Sequence, residues 1–269
     1  ASQMSVMRSS LLGSLLQVLK FNLDRRAERV RLFEVGRVFL RDASVQNTDS
    51  TVEGFHQPMR VAGLACGAGD MLQWGRKEQA IDFYDVKGDV EALLAPLQPQ
   101  FEPASHPAMH PGRCARVLLD GRAIGFVGEL HPQWRQSWEL PQVPVLFELE
   151  LDAVLRRAVP RFAPVHKHQA VERDLAVVVA EKVTHADIMG AIHAALPATL
   201  LRGAVLFDVY RPKVAKDGTI TGGLALGEKS LAVRLTLGGE ATLTDAEIDA
   251  AVQSVLARLA EQTGAKLRV

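Results

Sequence analysis

Cysteine is nearly absent. The only two in 269 residues, Cys66 and Cys114, lie far apart in separate apolar stretches. That excludes a disulfide-framed secreted scaffold and predicts two buried thiols in a reducing compartment. An excess of either charge is also missing: 31 Lys and Arg face 31 Asp and Glu. Such a chain does not hold nucleic acid through bulk positive charge, so any contact with RNA must be local. No apolar run approaches the roughly 20 residues of a membrane-spanning helix, and the opening lacks the charged-then-apolar order of a signal peptide. A cytoplasmic location and no membrane partner are expected. The first four residues include no methionine at position 1 and read as a cut from a longer protein. What is present is ordinary globular material, 48% hydrophobic and 23% charged, enough for one large or two medium domains.

Leucines at 11, 12, 15, 16, 19 and 23 recur at helical spacing over 9–24, with Ser9 or Ser10 as the N-cap, and their stripe must be buried. Residues 29–40 read as a long strand or a strand pair bent at Gly36, 41–58 as a loop, and 59–67 as a short strand. A helix over 85–94 stops at Pro96, and four prolines make 99–112 an irregular connection. Residues 114–119 and 123–130 flank Asp120-Gly121, a dipeptide suited to the positive φ angles of a tight hairpin. A further strand over 143–151 completes an α+β domain with helices segregated against an antiparallel sheet.

Prolines at 160 and 164 punctuate the chain, and the pattern then resets. Strand 174–180, a helix to 196 capped by Thr184, strand 201–210, a polar glycine-rich loop over 211–227, strand 230–237, a helix over 245–263 after Thr244, and a short strand over 266–269 follow in order. That is the ferredoxin-like βαββαβ arrangement.

Six strings bear on the family: Met7-Arg-Ser-Ser-Leu-Leu-Gly-Ser-Leu-Leu16, Arg29-Val-Arg-Leu-Phe-Glu-Val-Gly36, Phe83-Tyr-Asp-Val-Lys-Gly-Asp-Val-Glu91, Val127-Gly-Glu-Leu-His-Pro132, Arg173-Asp-Leu-Ala-Val-Val-Val179 and Leu206-Phe-Asp-Val-Tyr-Arg211. In this order they resemble the beta subunit of bacterial phenylalanyl-tRNA synthetases over essentially the whole chain. The resemblance implies a C-terminal portion of that subunit. Residues 1–158 would form a class II synthetase-like antiparallel sheet domain, catalytically inactive, and 162–269 a ferredoxin-fold anticodon-binding domain. It implies the alpha subunit and phenylalanine tRNA as partners in an alpha-two, beta-two heterotetramer, with ATP and magnesium handled by the full complex and no cofactor in this portion. The family's domain that hydrolyses mischarged tRNA has no counterpart here.

A class II adenylation site needs an arginine two residues before a glutamate, to hold the ATP α-phosphate through a bidentate guanidinium. In Arg31-Leu-Phe-Glu34 that place is Leu32, and Arg31 alternates to the opposite strand face. The stretch from Gly125 to Leu130 carries no arginine for the adenine. No catalytic residue is therefore assigned, and the first domain reads as a scaffold for the alpha subunit. A rival keeps a nucleotide-dependent activity with Glu34 and Arg37 as remnants of a site. His106 and His110 stand four apart, but Pro107 and Pro111 exclude a helical zinc pair, so they read as solvent-facing or capping residues. Asp82, Asp85, Asp89 and Glu91 spread around a helix with Lys87 among them and read as a solvated face. No metal site is assigned. His166 and His168 flank Lys167 as candidates for phosphate contact.

Asp208 and Tyr210 stand two apart on a strand and so share a face, with Val209 pointing into the core between them. A carboxylate can accept both donors on the Watson–Crick edge of guanine, and an aromatic ring can stack on an unpaired base. The resemblance places Asp208, Tyr210 and Ser230 at positions that read the first anticodon base, a guanine. Arg211, Lys229, Lys213 and Lys216 would add phosphate attraction, although the insert over 219–226 lengthens their loop. The alternative is a purely structural protein-interaction role without direct RNA contact.

Overall fold

The computed structural model describes residues 6–157, 159–160, 162, 167–212 and 223–268. Expectations placed on 1–4, Pro164, His166, Lys213, Lys216 and 219–222 lie outside the described residues. Two compact units divide the chain, Ala1–Val159 and Pro160–Val269.

In the first unit the order is α1 (Leu12–Leu23), β1 (Arg29–Arg37), β2 (Leu40–Arg41), β3 (Phe55–His56), β4 (Met59–Gly67), α2 (Phe83–Leu94), β5 (Gln100–Pro103), β6 (Met109–Leu119), β7 (Arg122–Leu130), α3 (Pro132–Ser137), β8 (Val145–Glu150) and α4 (Leu151–Leu155). Six strands form one sheet in the order β1-β4-β8-β7-β6-β5, and every neighbouring pair is antiparallel. The β6–β7 hairpin turns on Asp120 and Gly121, both at positive φ.

Helices are not segregated to one face of this sheet. Leu12, Leu15, Leu16 and Leu19 of α1 pack with Ala62, Leu64, Cys66 and Leu146 on one side, while Val86, Val90 and Leu94 of α2 pack with Val61, Ala65, Val117 and Phe147 on the other. The strand β4 is therefore buried on both faces from Val61 to Gly67 and loses the alternation a one-sided sheet would show. Each fully buried leucine on these faces contributes about 1.5–3 kcal/mol of transfer free energy. Cys66 and Cys114 are free thiols within the core, and burial pushes both up from their ordinary pKa.

Neither Ser9 nor Ser10 is the N-cap of α1. That place is taken by Leu11, which has no capping side chain. The sheet supplies the acceptor instead: Glu148 on β8 takes the Leu11 N–H at 2.6 Å and the Ser10 hydroxyl at 3.1 Å, and Ser10 Oγ in turn accepts the Leu12 N–H at 3.1 Å. A second carboxylate, Glu34 on β1, pairs with Arg8 and accepts from the Ser14 hydroxyl at 2.6 Å. Three His-Pro dipeptides make a common local turn, the Nδ1 of His106, His110 and His131 each accepting the N–H two residues on. Burial keeps His106 below its ordinary pKa, which preserves the neutral ring needed for that role.

In the second unit β9 (Val171–Ala180), α5 (His185–Ala195), β10 (Leu201–Tyr210), β11 (Glu228–Leu237), α6 (Asp245–Thr263) and β12 (Lys266–Leu267) form a four-stranded sheet in the order β10-β11-β9-β12. Both helices begin with a capping box, Thr184 with Asp187 and Thr244 with Glu247. Ile188, Ile192, Ile248, Val255 and Leu259 pack on Leu175, Val177, Val179, Leu231, Val233 and Leu235, all of them odd-numbered residues of β9 and β11. The even-numbered residues consequently face away from the helices.

Replacing Glu148 by Ala strands the Leu11 N–H inside the core. We expect a loss of about 1–3 kcal/mol in urea unfolding; an unchanged midpoint would mean that the carboxylate does not anchor α1.

Candidate nucleic-acid interface

The outer face of the second sheet is built by ladder register. Tyr210 stands across from Ser230, Ser230 from Val178, and Val178 from Lys266. In the next row Asp208 stands across from Ala232, and Ala232 from Ala176. Asp208 and Tyr210 therefore share one face, about 7 Å apart along the strand at ~3.3 Å per residue. Asp208 is exposed and Tyr210 half-buried. The Arg268 guanidinium lies 5.0 Å from the Tyr210 ring centroid, its backbone N–H being tied to the Ala176 carbonyl. Ser230 is only 4% exposed and forms, with Ala232 and Ala176, a floor of small side chains.

Val209 departs from expectation. Its register partner is Leu231, on the helix side, yet it is 40% exposed because it sits near the open end of the edge strand β10. Lys229 departs as well. It alternates to the face opposite Ser230, is 8% exposed, and donates from Nζ to the Glu181 carbonyl at 2.8 Å. Lys229 is thus a strut beneath the strand end and leaves the set of direct RNA contacts. Arg211 is exposed, but its guanidinium is held by the Glu181 carboxylate in a bidentate arrangement, with Nη2 at 2.9 Å and Nε at 3.1 Å. The hydrogen bond from Arg211 holds the Glu181 carboxyl below its ordinary pKa. A phosphate would have to compete with Glu181 for this arginine. Of the pair His166 and His168, the described His168 offers its carbonyl to Arg202 at 3.2 Å.

In the first unit, the described residues that the sequence offered for ATP are engaged elsewhere. Leu32 occupies the position where an α-phosphate would need an arginine, and it pairs with Leu64 across the β1–β4 ladder. Arg31 turns away to Asp89, at 3.0 Å. Glu34 is consumed by Arg8 and Ser14, and Arg37 donates to the Gln57 carbonyl at 3.0 Å. These residues do not fit a nucleotide.

With this geometry in view, comparison with known proteins is decisive for the family. Residues 1–151 match the model described as the phenylalanyl tRNA synthetase beta chain CLM domain, and residues 166–268 match the ferredoxin-fold anticodon binding domain. The chain belongs to the phenylalanyl-tRNA synthetase beta chain family. Among its relatives, the phenylalanine–tRNA ligase beta subunit of Ralstonia nicotianae is 50% identical over 273 residues, covering 100% of this chain and 33% of that protein. Those of Burkholderia lata and Chromobacterium violaceum are 51% and 48% identical, covering 100% of this chain and 33% and 32% of theirs. The chain thus spans about a third of the length of the curated relatives it matches.

Family membership leaves two features of the face unaccounted for. Arg268 beside Tyr210 was invisible to reasoning from strand alternation, since the two residues are 58 apart in sequence and meet only through the sheet order. Phe207 was the second omission. The register slips between Leu206 and Asp208, so Phe207 is an extra residue in the ladder, with its ring 5.5 Å from the Arg234 guanidinium.

Because the folded Glu181 carboxyl titrates below its unfolded value of about 4.5, its ion pair stabilises the fold fully above that pH and is lost as pH falls through the folded pKa. Carbon-detected NMR titration should find the Glu181 midpoint below 4.5 and should find it rising toward that value in Arg211→Gln. Equal midpoints in the two proteins would refute the pairing.

Proposed function

We propose that this chain is the C-terminal portion of a phenylalanine–tRNA ligase beta subunit, that its first unit docks the alpha subunit, and that its second unit grips the anticodon loop of phenylalanine tRNA. The observation that carries the second part is the juxtaposition of an exposed Asp208 and the ring of Tyr210 on one sheet face, with Ser230 across the ladder from the ring. Unpaired RNA bases are recognised by this chemistry: a ring takes the base face, and a carboxylate accepts the two donors on the Watson–Crick edge of guanine. Ser230 and Ala232 are small enough to let a planar base approach. Arg268 and Lys266 supply positive charge at the same face and favour a polyanion there.

The reaction served is ATP-dependent aminoacylation of the tRNA by an alpha-two, beta-two assembly in the cytoplasm. ATP and magnesium would act in the alpha subunit, since Arg31, Glu34 and Arg37 of the first unit are each engaged by a protein partner. Among the described residues no helix is long and apolar enough to cross a membrane, in keeping with a complex that works on a diffusing tRNA. The role of the first unit is support. Exposed Phe33 and Val35 on its edge strand β1 offer an apolar surface for a protein partner.

Tyr210→Ala should weaken binding of phenylalanine tRNA to the assembled complex by about 1–3 kcal/mol, the scale of one lost stacking contact. A filter-binding titration at two salt concentrations reads both the loss and the salt slope. Unchanged affinity in a folded variant would leave the second unit as a protein-interaction module.

A further inference from the structure

The β10 edge carries a second aromatic ring that the guanine-reading site does not use. Phe207 is 53% exposed and its neighbour on that face, Val205, is 61% exposed. Alternation counted back from Tyr210 and Asp208 would send Phe207 to the helix side. The bulge changes this. Leu206 pairs with Val233 on the helix side and Asp208 pairs with Ala232 on the outer side, so Phe207 is the unpaired extra residue between them. Its ring sits on the outer face, 5.5 Å from Arg234. That arginine is fixed in place by Asp174, through bonds of 2.7 and 2.8 Å, and by Glu172 at 3.2 Å.

Two ring-and-guanidinium pairs therefore flank Asp208 and the small side chains of Ala232 and Ala176: Tyr210 with Arg268 on one side, Phe207 with Arg234 on the other. Resting on the base-reading role proposed for Tyr210 and Asp208, we propose that Phe207 and Arg234 form a second nucleobase-stacking subsite, which takes the unpaired nucleotide adjacent to the one on Tyr210. The ladder positions put the two rings two to three residues apart along β11, about 7–10 Å at ~3.3 Å per residue. This is wider than the ~3.4 Å rise of stacked bases. Neighbouring bases would thus be splayed, each on its own ring, as single-stranded recognition requires. A protein segment fits this face poorly, because a continuous apolar strip is broken by Asp208 and by the Arg234–Asp174–Glu172 ion cluster. Arg234 carries no free charge for a phosphate, since two carboxylates hold it. Its contribution is the flat guanidinium surface.

The test measures affinity of the full chain for a synthetic RNA hairpin bearing the anticodon loop of phenylalanine tRNA. Each loop nucleotide is replaced in turn by an abasic residue, against wild type, Phe207→Ala, Phe207→Leu and Tyr210→Ala. We expect Phe207→Ala to lose about 5- to 100-fold in affinity for the intact loop with an unchanged salt slope. Phe207→Leu, which keeps the apolar bulk, should lose nearly as much while retaining the wild-type melting temperature. The Phe207→Ala loss should vanish on one abasic RNA, and the Tyr210→Ala loss on the RNA whose gap is one position away. If Tyr210→Ala weakens binding and neither Phe207 variant does, the second subsite is wrong while the guanine-reading site stands. Losses of both variants that vanish on the same abasic RNA would also overturn it, as a single pocket. If neither position matters, both proposals fail. If Phe207→Ala spares RNA and instead abolishes capture of the alpha subunit, the ring is a protein contact and the subsite is overturned.

Discussion

The second unit depends on one constraint: among the described residues, its sheet has helices against only one face. Odd-numbered residues of β9 and β11 are consumed by the core with α5 and α6. Even-numbered residues at the same ladder positions, Asp174, Ala176, Val178, Ser230, Ala232 and Arg234, are set on the other side whether or not anything binds there. From this follow the position of Tyr210 over Ser230, the reach of Arg268 across the sheet, and the withdrawal of Lys229 to the opposite face, where Glu181 receives it. A one-residue slip of β11 would exchange Ser230 for Lys229 at the outer surface and expose Leu231. The hydrophobic core and the candidate interface are therefore specified by the same register.

The first unit shows the opposite economy. Helices pack on both of its sheet's faces, and several polar side chains on it serve structure. Glu148 caps α1 from across the sheet, and Glu34 is shared between Arg8 and Ser14. Arg31 is drawn to α2 by Asp89. An adenylation site needs such groups free to meet phosphate, and here each already has a protein partner. This arrangement agrees with a unit whose proposed work is to carry another subunit.

Elements whose signals were local were legible in the sequence. The helix starts at Thr184 and Thr244, the Asp120-Gly121 hairpin and the extent of β10 needed only their own residues. The region 99–112 was obscured because its prolines argue against strand, yet β5 and the start of β6 run through it. Pro103 ends an edge strand, and Pro111 falls in the slip between Met109 and Cys114, two places where a missing N–H costs little. Helices on both faces of the first sheet could not be read from α1 and α2, since an amphipathic stripe says that a helix packs but not on which side. At the candidate site, Asp208, Tyr210 and Ser230 were legible from alternation and family resemblance. The bulge at Phe207 was not, because a bulge is a property of the pairing between strands.

The central claim is that Asp208 accepts the two donors of a guanine whose face lies on Tyr210. Inosine keeps the ring N–H of guanine but lacks its exocyclic amino group. The most direct measurement is therefore the affinity of the complex for phenylalanine tRNA anticodon loops carrying guanine or inosine at the first anticodon base, in wild type and in Asp208→Asn. The account predicts that wild type prefers guanine by about 1–3 kcal/mol, the cost of a buried acceptor losing its donor, and that Asp208→Asn loses most of that preference. Equal affinity of wild type for the two loops, or a preference that survives in Asp208→Asn, would contradict it.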